Sequence, residues 1–322
     1  MQDDGSLAQA EVLPCAPPSE PKSQVVSPEV AEHMEQLKGS NSYLRCNAAR
    51  ALGDLGARAT PAVPLLVEAA LHDVETGVGK VASESLGQLG TAAEDALPPL
   101  QQALRRGDPA QREAAAGTLR SLGRVALPAL SDLCEALDDE VKSVRIAAAG
   151  ALGEMGQAAS SAIPSLTAAL LKTIEDDSPY AIGEVAAAVA LRSIGSLDAA
   201  AAAEVQALLS NESVKIRAAA ADVLGVCGEA ASPAVEKLAD MAVHDQGCLV
   251  PVMGRSDNGV ACAASAARAL RELREVAAPG AVRIAEHLQS AKSQEVADAC
   301  ILAFAELGKV AGPAILTPLQ ML

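Results

Sequence analysis

The sequence predicts an all-α fold, an α-solenoid (superhelix) of about eight stacked helical hairpins plus an N-terminal half-repeat. Three observations carry this. A hexapeptide, Ala51-Leu52-Gly53-Asp54-Leu55-Gly56, returns as SLGQLG, TLRSLG, ALGEMG, ALRSIG, VLGVCG, ALRELR and AFAELG, with second positions at Leu52, Leu86, Leu119, Leu152, Leu191, Leu224, Leu270 and Phe304. Five of the seven steps between these marks are 33 or 34 residues, the period of a stacked repeat. Finally, half of the 322 residues are apolar, yet there is one Phe, two Tyr and no Trp. The core is therefore built from Ala, Leu, Val and Ile, which suits helices at close range.

Residues 1–26, rich in Pro, Ser and acid, read as a disordered tail. The solenoid is expected over 27–322. It opens with Ser27 as a cap, Pro28 at the first helical position and an apolar stripe of Val30, Met34 and Leu37, a half-repeat covering the first full one.

Counting from each mark as zero, helix A carries apolar residues at −8, −4, −3, 0 and +3, a helical spacing. The −4 and −3 slots are small (Ala48/Ala49, Ala115/Ala116, Ala148/Ala149, Ala220/Ala221), which lets neighbouring helices approach. Asn41, Asp108, Ser213 and Ser293 at −11 are good N-caps. Gly at +4 in seven of eight repeats ends the helix at least cost, since it lacks a Cβ. Helix B is expected to begin at a proline, at +9 (Pro61, Pro128, Pro233, Pro279, Pro313) or +12 (Pro64, Pro98, Pro164), with apolar slots at +11, +14, +17 and +18. His72, Arg106, Lys172 and His244 at +20 suit its C-terminal turn. One such repeat is too small to hold a core alone; stacking buries a continuous one.

The run Val144-Arg145-Ile146-Ala147-Ala148-Ala149-Gly150-Ala151-Leu152-Gly153-Glu154-Met155-Gly156 resembles HEAT repeats, of the short Ala-rich kind found in the phycobilin lyase and deoxyhypusine hydroxylase families. The resemblance covers residues 28–322. It implies A helices on the convex side and B helices lining a concave groove, in a family of scaffolds, transport receptors and a few enzymes.

The hydroxylase relatives hold iron through His-Glu dipeptides. None of the four histidines here is followed by Glu; His72-Asp73 and His244-Asp245 read as helix-end cations before turn acids. No metal and no cofactor is expected. The seven cysteines include no C-x-x-C. Cys227, Cys262 and Cys300 occupy core slots, and only Cys15 and Cys248 fall outside the repeat frame. Phosphate-binding glycine loops are absent. A net charge of −16 argues against nucleic acid and anionic membrane as partners. The basic cluster Arg105, Arg106, Arg112, Arg120 and Arg124 has no interleaved aromatics. The arginines at −7 (Arg45, Arg112, Arg145, Arg217) are expected to form a structural ladder with turn acids such as Asp73 and Asp139. The start of the chain does not read as a secretory signal and there is no run of 18 apolar residues, so a soluble, intracellular protein in a reducing compartment is expected.

The pattern breaks in three places. Extra residues fall near 174–180 and 244–258, the longer insert carrying Cys248, Leu249, Val250, Val252, Met253 and Arg255. Repeat seven has Arg274 in place of the terminating Gly and His287 in the apolar +17 slot. Either the insert tucks onto the solenoid and Arg274 extends its helix, or these residues form a partner site. The last repeat has Pro318 at +14 and ends on Leu319, Met321 and Leu322, as a fragment of a longer solenoid or a docking end would. The function expected is a non-catalytic protein-interaction scaffold or adaptor. The alternative, a lyase-like or chaperone-like factor for a tetrapyrrole-bearing or modified protein, rests on the resemblance alone.

Overall fold

In a computed structural model the chain is described over residues 26–172, 182–195, 197–244, 262–290 and 301. Among these residues there are fifteen α-helices and no strand. The half-repeat is α1 (Pro28–Leu37). The A helices are α2 (Ser42–Asp54), α4 (Thr76–Leu89), α6 (Pro109–Leu122), α8 (Lys142–Met155), α10 (Ile182–Ile194), α12 (Val214–Leu224) and α14 (Cys262–Leu273). The B helices are α3 (Val63–His72), α5 (Leu97–Arg106), α7 (Leu130–Ala136), α9 (Ile163–Lys172), α11 (Ala199–Ala207), α13 (Val235–His244) and α15 (Ala278–Ser290). Each A helix packs on the A helix of the next repeat, and each B helix packs against the A helix that follows it, giving the two layers of an α-solenoid. Repeat eight lies outside the described residues, apart from Ile301.

The seven described marks, Leu52 to Leu270, are all fully buried, as are Leu66, Leu100, Leu133, Leu166, Leu238 and Ile284 at +14 of the B helices. Of the expected caps at −11, Asn41 and Asp108 form, Ser213 does not, and Ser293 lies outside the described residues. Asn41 accepts from the Tyr43 N–H at 2.9 Å, and Asp108 forms a capping box with Gln111. Ser213 stands at the N-cap of α12 but makes no cap bond; Asn211 accepts the Ser213 N–H instead, at 2.8 Å.

Among the described residues, helix B starts beside its +9 proline only in repeat seven, where Pro279 is the second residue of α15. In five repeats a seven-residue 3-10 segment, Gly56–Ala62 and its equivalents, joins A to B, and the α-helix begins at +11. Pro61, Pro128 and Pro233 lie inside that segment, while Pro64 sits in the first turn of α3. Proline disfavours α geometry in the residue before it. The tighter turn, in which residues i and i+3 eclipse, then points alanines at +7 and +10 (Ala59/Ala62, Ala126/Ala129) into the core, fully buried.

The +4 glycines adopt positive φ, 56° at Gly56 and 53° at Gly123. Arg274 does not extend α14. It takes φ 53° at the same position, and it alone among the described non-glycine residues has a positive φ. An L-residue pays about 1–2 kcal/mol for this conformation. Arg274→Gly is therefore expected to stabilise the chain by about 1 kcal/mol, read as a rise in the denaturation midpoint. A fall would show that the exposed Arg274 side chain makes a contact worth more than the strain.

Candidate interaction site

Two polar systems link neighbouring repeats. The first is the arginine ladder. Arg45, 9% exposed, donates through Nε and Nη2 to the two Asp73 oxygens at 2.7 and 2.8 Å, and through Nη1 to the carbonyls of Gly39 and Ser40. Arg112 repeats this on Asp139, at 2.7 and 3.0 Å, and on the Gly107 carbonyl. Arg145 and Arg217 likewise donate to carbonyls of the turn before their helix. Each arginine thus closes the turn before its helix, and Arg45 and Arg112 also hold the turn into the next repeat, a structural role. The hydrogen bond from Arg45 holds the Asp73 carboxyl below the usual range. At Asp139 burial works the other way and is outweighed by Arg112 and the Val141 N–H. Within the basic cluster, Arg105 pairs with Asp132 at 2.6 Å, Arg112 with Asp139 and Arg120 with Glu154 at 3.3 Å, so three of the five face carboxylates.

The second system lies where the last turns of α13 and α15 meet, at the B-to-A edge of repeats six and seven. His287 Nε2 is 2.6 Å from Asp240 Oδ1, and its Nδ1 is 3.2 Å from His244 Nε2. The two rings stand edge to face, 4.5 Å between centroids. Arg283, one turn before His287, donates to the same Asp240 oxygen at 2.9 Å and meets Glu286 at 3.3 Å. Burial raises the Asp240 carboxyl, but the bonds from Arg283 and His287 win and hold it below its ordinary value. His244 is exposed and is the last residue of α13 before the insert. A carboxylate followed by two imidazoles in a row can relay or hold a proton. Among the described residues, no group of three or more His, Cys, Asp or Glu is arranged to hold a metal.

Of the residues singled out in the sequence, His287 joins this network. Cys248, Leu249, Val250, Val252, Met253 and Arg255 lie outside the described residues. Arg274 is not part of it: α14, twelve residues and about 18 Å long, separates it from the insert edge. Asp240 and Arg283 were not foreseen. Their signal is cross-repeat charge pairing on B helices, of the kind Arg105 and Asp132 also make. Cys227 is a core residue as expected, its thiol pushed up to about 11 by burial. His72 does not act with Asp73, which is held by Arg45; it meets Gln111 at 3.2 Å.

The family model described as HEAT repeats matches residues 30–120, and that described as HEAT repeat matches residues 129–159. Over those residues the chain carries HEAT repeats. No curated protein sequence matches it significantly. Among solved structures, the HEAT solenoid is similar to the karyopherin Kap121p bound to the extreme C-terminus of the protein phosphatase Cdc14p (14% identity, TM-score 0.65, covering 91% of this chain and 34% of that one). It is also similar to importin beta (17% identity, TM-score 0.57, 91% and 45% covered). These likenesses concern the fold, and the HEAT chain spans a third to under half the length of those proteins. A complex of the phycocyanin lyase subunits CpcE and CpcF from Nostoc sp. PCC7120 aligns over 94% of this chain and 99% of that one, at 21% identity and a TM-score of 0.38, too low to bear on the tetrapyrrole alternative. Among the described residues no helix is long and apolar enough to cross a membrane.

Proposed function

We propose that this HEAT solenoid, read as residues 27–322, is a non-catalytic scaffold whose protein partner engages the B-to-A edge of repeats six and seven. The observation that carries the reading is the polar network there. Elsewhere in the stack arginine and glutamine side chains clamp carboxylates and carbonyls across repeats, and the exposed His72 meets only a glutamine amide among the contacts it shows. At this edge an exposed histidine stands at the end of the network, beside the one long insert. The apolar residues Leu249, Val250, Val252 and Met253 of that insert have no slot in the repeat, which suits a contact made with another protein. Support in kind comes from the karyopherin captured with a peptide terminus of its partner. Affinity capture with the full chain and with a chain lacking residues 246–257 tests the proposal. A partner retained by the first and lost from the second is expected; an identical set of bound proteins overturns it.

A further inference from the structure

We infer that the contact between His244 and His287 is an acid-sensitive seam between repeats six and seven, closed at neutral pH and opened by a second proton. The inference rests on hydrogen-bond directions and stands apart from the identity of any partner. Asp240, 2.6 Å from His287 Nε2, is a carboxylate and only accepts, so a neutral His287 carries its proton on Nε2 and presents the lone pair of Nδ1. His244 Nε2, 3.2 Å from that lone pair, must then donate. While His287 is neutral, the Asp240 carboxylate thus fixes the directions along the chain.

One added proton is compatible with this arrangement. It enters at Nδ1 of His244, leaving Nε2–H donating, or at Nδ1 of His287, with Nε2 of His244 accepting; either way one charge-assisted bond joins the rings. A second proton puts an N–H on both of the facing nitrogens. Two N–H groups then face each other across 3.2 Å, both rings are cationic, and the bond that joins α13 to α15 is lost. The charged groups around the pair set the balance. Asp240 draws positive charge toward His287, while Arg283, 2.9 Å from the same carboxylate, already satisfies it and disfavours a further cation. Glu286 is engaged with Arg283. On α13, Lys237 bonds Ser210 of the preceding repeat, and Glu236 is exposed. On α14, Arg268 pairs with Asp222 and Glu272 faces Arg192, both toward the A layer. Asp245 lies outside the described residues.

The sign follows from linkage. The closed seam accepts fewer protons than separated histidines, so acidification favours opening and its stability rises with pH. Among side chains it is the imidazole that changes charge above the carboxylate range, so the seam is probed in mild acid.

Hydrogen exchange of the full chain at pH 7.5 and 5.5, corrected for intrinsic rates, tests the seam. Amides of α15 and of the last turns of α13 are expected to exchange about tenfold faster at pH 5.5, with α2–α6 unchanged as a reference. In His244→Gln the amide donates to a neutral His287 and accepts from a protonated one, so the difference disappears. An equal acid response in wild type and His244→Gln, or none in wild type, overturns the inference. Should the variant disturb α2–α6, the imidazole nitrogen shifts of wild type decide: protonation in two separated steps supports the seam, and two rings titrating together refute it.

Discussion

Gly87→Ala is expected to destabilise the stack by about 2–3 kcal/mol, whereas Gly117→Ala, one repeat along, stabilises it by about 0.5–1 kcal/mol. Both glycines lie inside A helices, where alanine is intrinsically the better residue. The difference is the neighbour. A Cβ on Gly87 overlaps the carbonyl oxygen of Ser121 and sits 3.0 Å from its carbonyl carbon. That is backbone of the facing helix α6, and it yields only if the two helices part. A Cβ on Gly117 meets nothing within 4 Å. Gly53, in the same slot as Gly87, presses mainly on the Gln88 side chain and on Ser85. Gln88 can swing away, so Gly53→Ala is expected to cost less than Gly87→Ala. Denaturation midpoints of the three variants check the order. A uniform gain across all three would mean that the A layer is not held at backbone contact and that the small-residue slots serve propensity alone. Because each repeat touches mainly its neighbours, hydrogen exchange should place the Gly87 loss in α4 and α6.

What the sequence made legible is what recurs. The marks Leu52 to Leu270 could be assigned to the core because each is an independent copy of one local choice. The +4 glycines followed from a conformation that costs most residues energy. The Arg45–Asp73 rung was legible because its ends keep constant offsets, 28 residues apart, and Arg112–Asp139 spans 27. The 3-10 segments were hidden, since alanine spacing of three also fits an α-helix and the +9 proline was taken for a helix start. The Asp240–Arg283 pair was hidden for the opposite reason. Its partners are 43 residues apart, because the insert stretches the frame between them. Arg274 shows a third kind of miss. Losing a glycine suggested that the helix runs on, but the stack on either side fixes where the chain must turn, and the backbone takes the glycine conformation regardless.

Asp73→Ala is expected to cost about 3 kcal/mol, the scale for removing one partner of a buried ion pair. The Asp73 side chain is 7% exposed and Arg45 11%, so water can replace the carboxylate only in part. Arg45 is left with the Gly39 and Ser40 carbonyls, and the Glu75 N–H loses the acceptor it has at 2.9 Å. Asp73→Asn keeps that acceptor and one contact to Arg45 but not the charge, and should lose less. The same pair fixes an acid limit. The Asp73 carboxyl titrates below its ordinary value in the folded chain, chiefly through the Arg45 bond, while an unfolded Asp titrates near pH 3.9. Its stabilisation is therefore whole above the unfolded value and is lost as pH falls through the lower, folded one. Stability measured against pH should fall below about pH 4 in wild type and less steeply in Asp73→Asn. That limb is distinct from the histidine seam, which acts in mild acid, on the other end of the solenoid, and through groups that gain rather than lose charge. At pH 5.5 the ladder of repeats one to four stays locked while the seam of repeats six and seven is open, so a chain of near-identical units responds to acid at one junction first. A wild-type chain whose α2–α6 amides loosen at pH 5.5 together with α15 would contradict this separation.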